Sequence, residues 1–110
     1  MRGTTFAASL PRITSAFLDD DSLTVYLEDG RTVSVPIAWY PRLAYGSAEE
    51  RANFQISSAG YGIHWPDLDE DIGVEGLLLG KRSTESRASF ERWLRARHSA
   101  EQNRSMGLGM

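Results

Sequence analysis

The chain has 110 residues, of which 41% are hydrophobic and none is cysteine. This length suits one domain with a single core, and the absence of cysteine excludes disulfide frameworks, thiolate metal sites and cysteine nucleophiles. The net charge of -3 hides an uneven distribution, because residues 1–80 carry 5 basic and 12 acidic side chains, whereas residues 81–110 carry 7 basic and 3 acidic ones. An acidic body disfavours phosphate binding, and a basic tail leaves direct nucleic-acid binding open.

The first residues show no pattern of regular structure, since residues 1–12 contain Gly3 and Pro11 and no sustained hydrophobic period. This composition predicts a flexible leader. No secretion signal opens the chain, and its longest apolar run, Leu77–Leu79, is far shorter than the ~20 residues of a membrane span. We therefore expect a cytoplasmic protein that does not enter a membrane.

Strand-like alternation begins at Ile13 and predicts a three-stranded antiparallel meander up to Val35. Its second turn sets the register. A two-residue loop would place Leu27 opposite Thr32 and split the apolar side chains between the two faces. A three-residue loop over Glu28–Gly30 instead places Val25 opposite Val33, with the glycine in the left-handed region, and we predict this register.

The segment from Pro36 to Gly80 predicts short helices around a second hairpin. Its signals are a proline that opens a helical stretch, a Ser-x-x-Glu capping box, two short strands around a glycine turn, and an acidic N-cap. The proline is Pro41, and the capping box is Ser47 and Glu50 before a helix at about 48–53. The strands are Phe54–Ser58 and Ile63–Trp65. The acidic N-cap is Asp71, before a marginal helix that ends at Gly80.

The last 30 residues, 81–110, are predicted to form a basic tail attached by a polar linker, Lys81–Ser86. Phe90, Trp93 and Leu94 share one face of a predicted helix at about 87–99, and residues 102–110 are predicted to be disordered. This helix should dock on its own domain, on a second copy or on the partner protein. We favour another chain, and a second copy would give a homo-oligomer through the tail. Removal of the tail should then leave the melting temperature of the body little changed.

The predicted architecture is therefore an α+β fold. An antiparallel meander and a second short hairpin pack with short helices to form a single domain over residues 13–80. A C-terminal amphipathic helix follows in the tail.

The densest polar cluster, from His64 to Asp71, does not match a known metal or nucleophile pattern. On a calcium-binding loop, Ile72 would replace the required glycine and Leu78 the bidentate glutamate. A zinc site would need a second histidine, and the other one, His98, lies in the tail. No serine sits in a nucleophile elbow either. We predict no catalytic residue, no metal and no cofactor, although a buried site at this cluster would revive an enzymatic interpretation.

Aromatic residues beside arginine have the composition of protein-binding hot spots. The irregular half of the domain and the tail helix both contain such residues, and the acidic run adds charge. The predicted partner-binding residues are Trp39, Tyr40, Arg42, His64, Trp65, Asp67, Asp69, Asp71, Phe90, Trp93 and Leu94.

Four segments resemble the small bacterial domain of unknown function numbered 2442: Leu23–Arg31, Val35–Leu43, Glu50–Asn53 and Gly62–Ile72. The resemblance covers about Ile13–Leu79 and implies a compact α+β domain without established enzyme activity. Family members occur alone or fused to a DNA-binding helix-turn-helix, and many are paired with a toxin of the domain of unknown function numbered 4160. The resemblance thus implies an antitoxin-like protein.

Two hypotheses of function follow. The leading one is an antitoxin-like binding module whose acidic body covers a basic, RNA-acting or nucleotide-acting toxin. The alternative is an accessory inhibitor of a phage or mobile element that mimics nucleic acid. One tail helix is too little for a helix-turn-helix, so the chain departs from the fused members of the family.

Overall fold

The computed structural model describes residues 10–108, with side chains described for residues 10–101. Three strands form the first antiparallel sheet in the order β1-β2-β3: β1 Ile13–Leu18, β2 Ser22–Leu27 and β3 Thr32–Pro36. The predicted meander is therefore confirmed.

The predicted register of the second hairpin is also confirmed. Val25 lies opposite Val33, and Leu23 lies opposite Val35. The N–H of Leu27 donates to the carbonyl of Arg31 at 2.9 Å, which closes the three-residue loop, and Gly30 has a φ of +96°. This register places Leu23, Val25 and Leu27 of β2 on the face that meets the core, and Tyr26 on the exposed face.

Short helices connect the two sheets. A 3-10 turn at Ile37–Trp39 precedes α1, Pro41–Tyr45, which has its proline at the first helical position as predicted. The predicted capping box is confirmed at α2, Ala48–Ala52. The Glu50 N–H donates to Ser47 Oγ at 3.1 Å, and the Ser47 N–H donates back to Glu50 Oε1 at 2.9 Å.

The second sheet has three strands where the sequence predicted a hairpin. Its order is β4-β5-β6, with β4 at Gln55–Ile56, β5 at Gly62–Trp65 and β6 at Glu70–Gly73. The prediction of Asp71 as a helix N-cap is wrong, because Asp71 lies within β6 opposite His64. Ile72 pairs with Ile63 and is buried, so core packing favours a strand over the predicted helical turn.

The helix α3 consequently starts later, at Val74, and runs to Leu79 with Gly73 as its N-cap. It ends at Gly80, which has a φ of +70°, as predicted. The core lies between the inner faces of the two sheets and is closed by α1 and α3. Its buried side chains are Ile13, Leu23, Val25, Leu27, Val35, Ile37, Tyr40, Leu43, Ile63, Trp65, Leu68, Ile72, Val74 and Leu77.

The tail helix α4 spans Arg87–Leu108, so it is longer than the predicted 87–99 and includes most of the end that was predicted to be disordered. Residues 100–105 contain neither proline nor glycine to end it. Its Trp93 packs against the core of its own domain. No helix in the described part of the chain is both long and apolar enough to cross a membrane.

The linker before α4 is held to the domain. The Tyr40 hydroxyl donates to the carbonyl of Lys81 at 3.2 Å, and the Ser83 N–H donates to the carbonyl of Trp39 at 3.1 Å. At the start of the domain, the N–H of Arg12 donates to Glu28 Oε2 at 3.1 Å. The last residue of the predicted flexible leader is therefore bound to the fold. The rest of that leader, residues 1–9, lies outside the described residues.

Candidate functional site

The connection between β5 and β6, which we name the acidic turn (Pro66–Asp71), collects most of the predicted polar site residues. Pro66 ends β5, and the Leu68 N–H donates to the carbonyl of Trp65 at 3.2 Å. Leu68 is fully buried and anchors the turn. Asp69 has a φ of +51°, a left-handed conformation that a short polar side chain tolerates better than most. Asp67 and Asp69 therefore point away from the core.

Three side chains from three other parts of the chain fix the acidic turn. Asn53 Nδ2 donates to Asp67 Oδ2 at 2.9 Å. Arg97 Nη1 donates to the carbonyl of Asp67 at 3.2 Å, and Arg42 Nη1 donates to the carbonyl of Asp69 at 3.0 Å. Both arginines thus hold the backbone of the turn.

The carboxylates of Asp69 and Asp71 are largely exposed, although each contacts one basic side chain. The side chain of Asp69 is 80% exposed and that of Asp71 is 76% exposed. Asp71 Oδ1 lies 2.8 Å from Nδ1 of His64, its cross-strand neighbour on the outer face of the second sheet. The turn presents carboxylates on a backbone of fixed shape, which lowers the ordering cost of recognising a cation.

Arg42 connects the acidic turn to the tail. Its guanidinium forms a two-pronged ion pair with Glu85, including a bond of 2.9 Å from Nε to Oε1. This hydrogen bonding from Arg42, aided by Ser89, lowers the pKa of Glu85. The same guanidinium lies 5.1 Å from the ring centre of Trp93, and Arg97 lies at 5.1 Å from that ring as well. Trp93 is therefore held by two cation–π contacts.

A second ion pair joins α4 to α2. Arg97 bonds to Glu50, the residue that also completes the capping box. Burial acts to raise the pKa of Glu50, but the bonds from Arg97 and Ser47 outweigh it and lower that pKa. Tyr45 contacts Trp93 edge-on with ring centres 5.8 Å apart. The first half of α4 is thus attached to the domain by both charge and aromatic packing.

Glu70 behaves differently from its acidic neighbours because its position in β6 points it inward, alongside Ile72. It lines a cleft of about 530 Å³ together with Tyr40, Arg42, Arg82 and Glu85. Burial, together with the charges of Glu85, Asp71 and Asp69, raises its pKa to about 7 against the opposing effect of Arg42. Within the described residues, no group of three or more histidine and acidic side chains is arranged to hold a metal ion.

The structure divides the predicted partner-binding residues into four groups. Trp65 is fully buried and Tyr40 is 4% exposed, so both belong to the core and cannot form a contact surface. Trp39 is half-buried beneath the guanidinium of Arg82, 4.9 Å from its ring centre. The half-buried Phe90, Trp93 and Leu94 lie on α4, with Trp93 on its own domain. The residues gathered at the acidic turn are Arg42, His64, Asp67, Asp69 and Asp71.

Sequence reasoning missed Glu50, Glu70, Glu85 and Arg97 as site residues. A signal was present for Arg97, which follows Phe90 and Trp93 at the spacing of one helix face. The inward position of Glu70 follows from its alternation with Ile72 once β6 is recognised as a strand. The pairing of Glu85 with Arg42, 43 residues apart in sequence, had no local signal.

Comparison with known proteins shows which family this chain belongs to. The sequence profile described as "Protein of unknown function (DUF2442)" matches residues 13–83. A crystal structure of a protein of unknown function from Rhodospirillum rubrum is similar, with 32% identity and a TM-score of 0.62, over 70% of this chain and 95% of that one. An uncharacterized protein from Chromobacterium violaceum, solved by NMR, shares the fold with 20% identity and a TM-score of 0.61, over 76% of this chain and 78% of its own. No curated protein matches.

Proposed function

The chain belongs to the DUF2442 family of proteins of unknown function, and we propose that it is a small non-catalytic binding module of the cytoplasm. In this proposal, the module presents its acidic turn to a basic surface of a partner protein. It neutralises that partner by covering the surface, as an antitoxin does.

One observation carries the proposal: two arginines hold the backbone of the acidic turn, while the carboxylates of Asp69 and Asp71 stay exposed to solvent. Arg42 and Arg97 bind main-chain carbonyls of the turn, so they fix its shape. The side chain of Asp69 is 80% exposed in spite of its 3.4 Å contact with Arg42. A pre-formed anionic surface loses little conformational entropy on binding and favours fast encounter with a cationic partner.

The partner we propose is the product of the gene beside this one. Co-expression of the two proteins tests the proposal directly. We expect the neighbour alone to inhibit growth, the wild-type chain to restore growth, and the two purified proteins to form a complex whose affinity falls as salt is raised. The double variant Asp69→Asn/Asp71→Asn should weaken the complex about 10-fold, because each exposed ion pair contributes up to about 1 kcal/mol.

The matched control is the double variant Asp20→Asn/Asp21→Asn, which removes the same charge from an exposed turn elsewhere. It should bind as the wild type does. Equal loss of affinity in both double variants would mean that net charge alone matters and would refute a role for the acidic turn. Failure of the wild-type chain to bind or neutralise the neighbour would refute the antitoxin-like function.

A competition experiment on the same complex distinguishes the two hypotheses of function, neutralisation of a toxin and mimicry of nucleic acid. A short duplex RNA or DNA added to the purified complex competes only if the covered surface is itself a nucleic-acid site. We expect no displacement at near-physiological salt. Stoichiometric displacement would favour the inhibitor that mimics nucleic acid.

A further inference from the structure

Within residues 10–108, no strand pairs with the outer edge of β1. Of the strands that the structure describes, β1 pairs with β2 alone. The Asp19 N–H donates to the carbonyl of Ser22 at 3.1 Å, so these two residues form a hydrogen-bonded pair. Such pairs alternate with non-hydrogen-bonded ones along an antiparallel ladder, which makes Phe17 and Thr24 the next hydrogen-bonded pair. The backbone of Phe17 therefore faces β2, and the N–H and C=O groups of Ala16 and Leu18 point away from the sheet.

This edge lacks the usual protection against strand addition. Natural edge strands carry lysine, proline or inward-pointing charges, and β1 contains no charged residue, proline or glycine. Only the first residue of the edge is blocked, because the Ile13 N–H donates to the carbonyl of Gly60 at 2.7 Å. The unguarded stretch is Thr14–Leu18.

The side chains of β1 itself are apolar or uncharged on both faces of the sheet. Phe17 is 57% exposed on the outer face, beside the hydrogen-bonded pair of Thr24 and Ser34. On the core side, Ala16 and Leu18 border a groove of about 290 Å³. Its other lining residues include the apolar Ala48, Ala52 and Phe54 and the charged Asp19, Asp20 and Arg51.

We infer that the edge of β1 is a homodimerisation surface, where β1 of a second copy adds in antiparallel orientation to form a continuous six-stranded sheet. A two-fold axis at Phe17 pairs Ala16 of each copy with Leu18 of the other. Four backbone hydrogen bonds form in this register, and the two Phe17 side chains meet on the outer face. The core-facing side chains of the added strand cover the groove.

Symmetry selects a second copy as the occupant, and the distribution of charge restricts where that copy can bind. Antiparallel pairing of a strand with itself is self-complementary, so one edge supplies every donor and acceptor that the other requires. Residues 1–80 carry 12 acidic side chains against 5 basic ones, which makes most of the body repel another copy. The proposed register places Asp19 and Asp20 opposite Ser15 and Thr14 of the second copy, so no two carboxylates face each other.

The small size of the contact sets the expected strength. A pairing of about five residues a side buries less than the ~1,200 Å² of a standard stable interface, so the dimer should be weak, with a micromolar or weaker dissociation constant. The dimer uses neither the acidic turn nor α4. It is therefore independent of the proposed function.

Sedimentation equilibrium of the full chain tests the inference. From about 10 μM to about 1 mM, the weight-average mass of the wild type should rise from that of the 12.3 kDa monomer towards twice that value. Phe17→Lys places two ammonium groups together at the axis and should weaken dimerisation at least 10-fold. The matched control, Tyr26→Lys, adds the same charge to the same face on the central strand and should leave dimerisation intact.

Amide exchange of the wild type gives a second readout that does not depend on how the variants fold. The amides of Ala16 and Leu18 should gain protection as concentration rises, and the amide of Phe17, already bonded to β2, should not change. A wild type that stays monomeric at about 1 mM would refute the inference. So would equal dimerisation of Phe17→Lys, or concentration-dependent protection confined to α4.

Discussion

At two glycines, backbone conformation and available space contribute separately to the cost of adding a side chain. Gly30 has a φ of +96° and Gly60 a φ of +88°, a region in which any other residue is strained. A Cβ at Gly30 would meet no atom within 4 Å, whereas one at Gly60 would lie 2.9 Å from the Cβ of Arg12. The sequence signalled the first through the Glu-Asp-Gly turn. The second depends on a contact between distant segments.

Alanine at each glycine should therefore have different effects on stability. We expect Gly30→Ala to lower the free energy of unfolding by about 1 kcal/mol, from backbone strain alone. Gly60→Ala should lower it by about 1–2 kcal/mol more, because the Arg12 backbone must move to relieve the clash. Urea unfolding of both variants measures the difference. Equal losses would show that the Arg12 contact does not constrain this turn.

Glu70 is the residue whose ionisation opposes folding. Its pKa is raised from 4.5 to about 7, chiefly by burial, so the folded chain binds the proton more tightly than the unfolded chain does. Between these two values the folded state carries the extra proton, and stability must fall as pH rises. The loss continues through pH 7 and levels off only once Glu70 is fully ionised in the folded state.

The variant Glu70→Gln should remove this pH dependence. At pH 8 we expect it to be more stable than the wild type by on the order of 1 kcal/mol, a value reduced by solvent screening of a half-buried group. Near pH 4 the two proteins should unfold alike. Thermal unfolding at several pH values measures the effect, with the exposed Glu75→Gln as the control. A wild-type profile unchanged by Glu70→Gln would contradict the raised pKa.

Among the elements, α4 departs most from its predicted behaviour. The sequence shows an apolar stripe that needs a partner surface, but it does not show which surface. The domain itself provides one, because Arg42, Tyr45 and Glu50 come together from α1 and α2 at the spacing of Trp93 and Arg97 on α4. Docking within the chain has a lower entropic cost than association of two chains, so it prevails where the surfaces fit.

Truncation should consequently lower stability, contrary to the expectation from sequence. A chain that ends at Gly80 loses the Arg42–Glu85 and Arg97–Glu50 ion pairs and the packing of Trp93. We expect a loss of about 2 kcal/mol in the free energy of unfolding, seen as a melting temperature several degrees lower.

A chain that ends at Glu101 is the matched control for this truncation, since it keeps all three contacts. It should melt with the full chain. If the chain ending at Gly80 has the same melting temperature as the full chain, α4 contributes nothing to the stability of its domain.

On the scale of the whole molecule, part of the opposite charge of body and tail is neutralised within the chain. Arg97 of the basic tail pairs with Glu50 of the body, and Glu85 of the tail pairs with Arg42. The carboxylates of Asp69 and Asp71 remain exposed at the acidic turn. The two double aspartate variants are expected to differ because only one of them removes charge from the acidic turn.

The sequence by itself determined the features that depend on neighbouring residues. The meander register, the Ser47–Glu50 capping box, the Pro41 helix start and the Gly80 helix end follow from local propensity and alternation, and all four are confirmed. The family, too, could be recognised from short motifs, since the matched region covers residues 13–83.

Only the tertiary structure decided the features that depend on distant residues. Asp71 follows a weak helix pattern, but pairing with β5 makes its segment a strand and turns Glu70 inward. The side chains of Tyr40 and Trp65 resemble binding residues, yet core packing buries both. Which face of α4 is covered, and which carboxylates remain free, depends on ion pairs that span more than 40 residues. Local sequence carries no trace of such pairs, because their energy arises only when the fold brings the charges together.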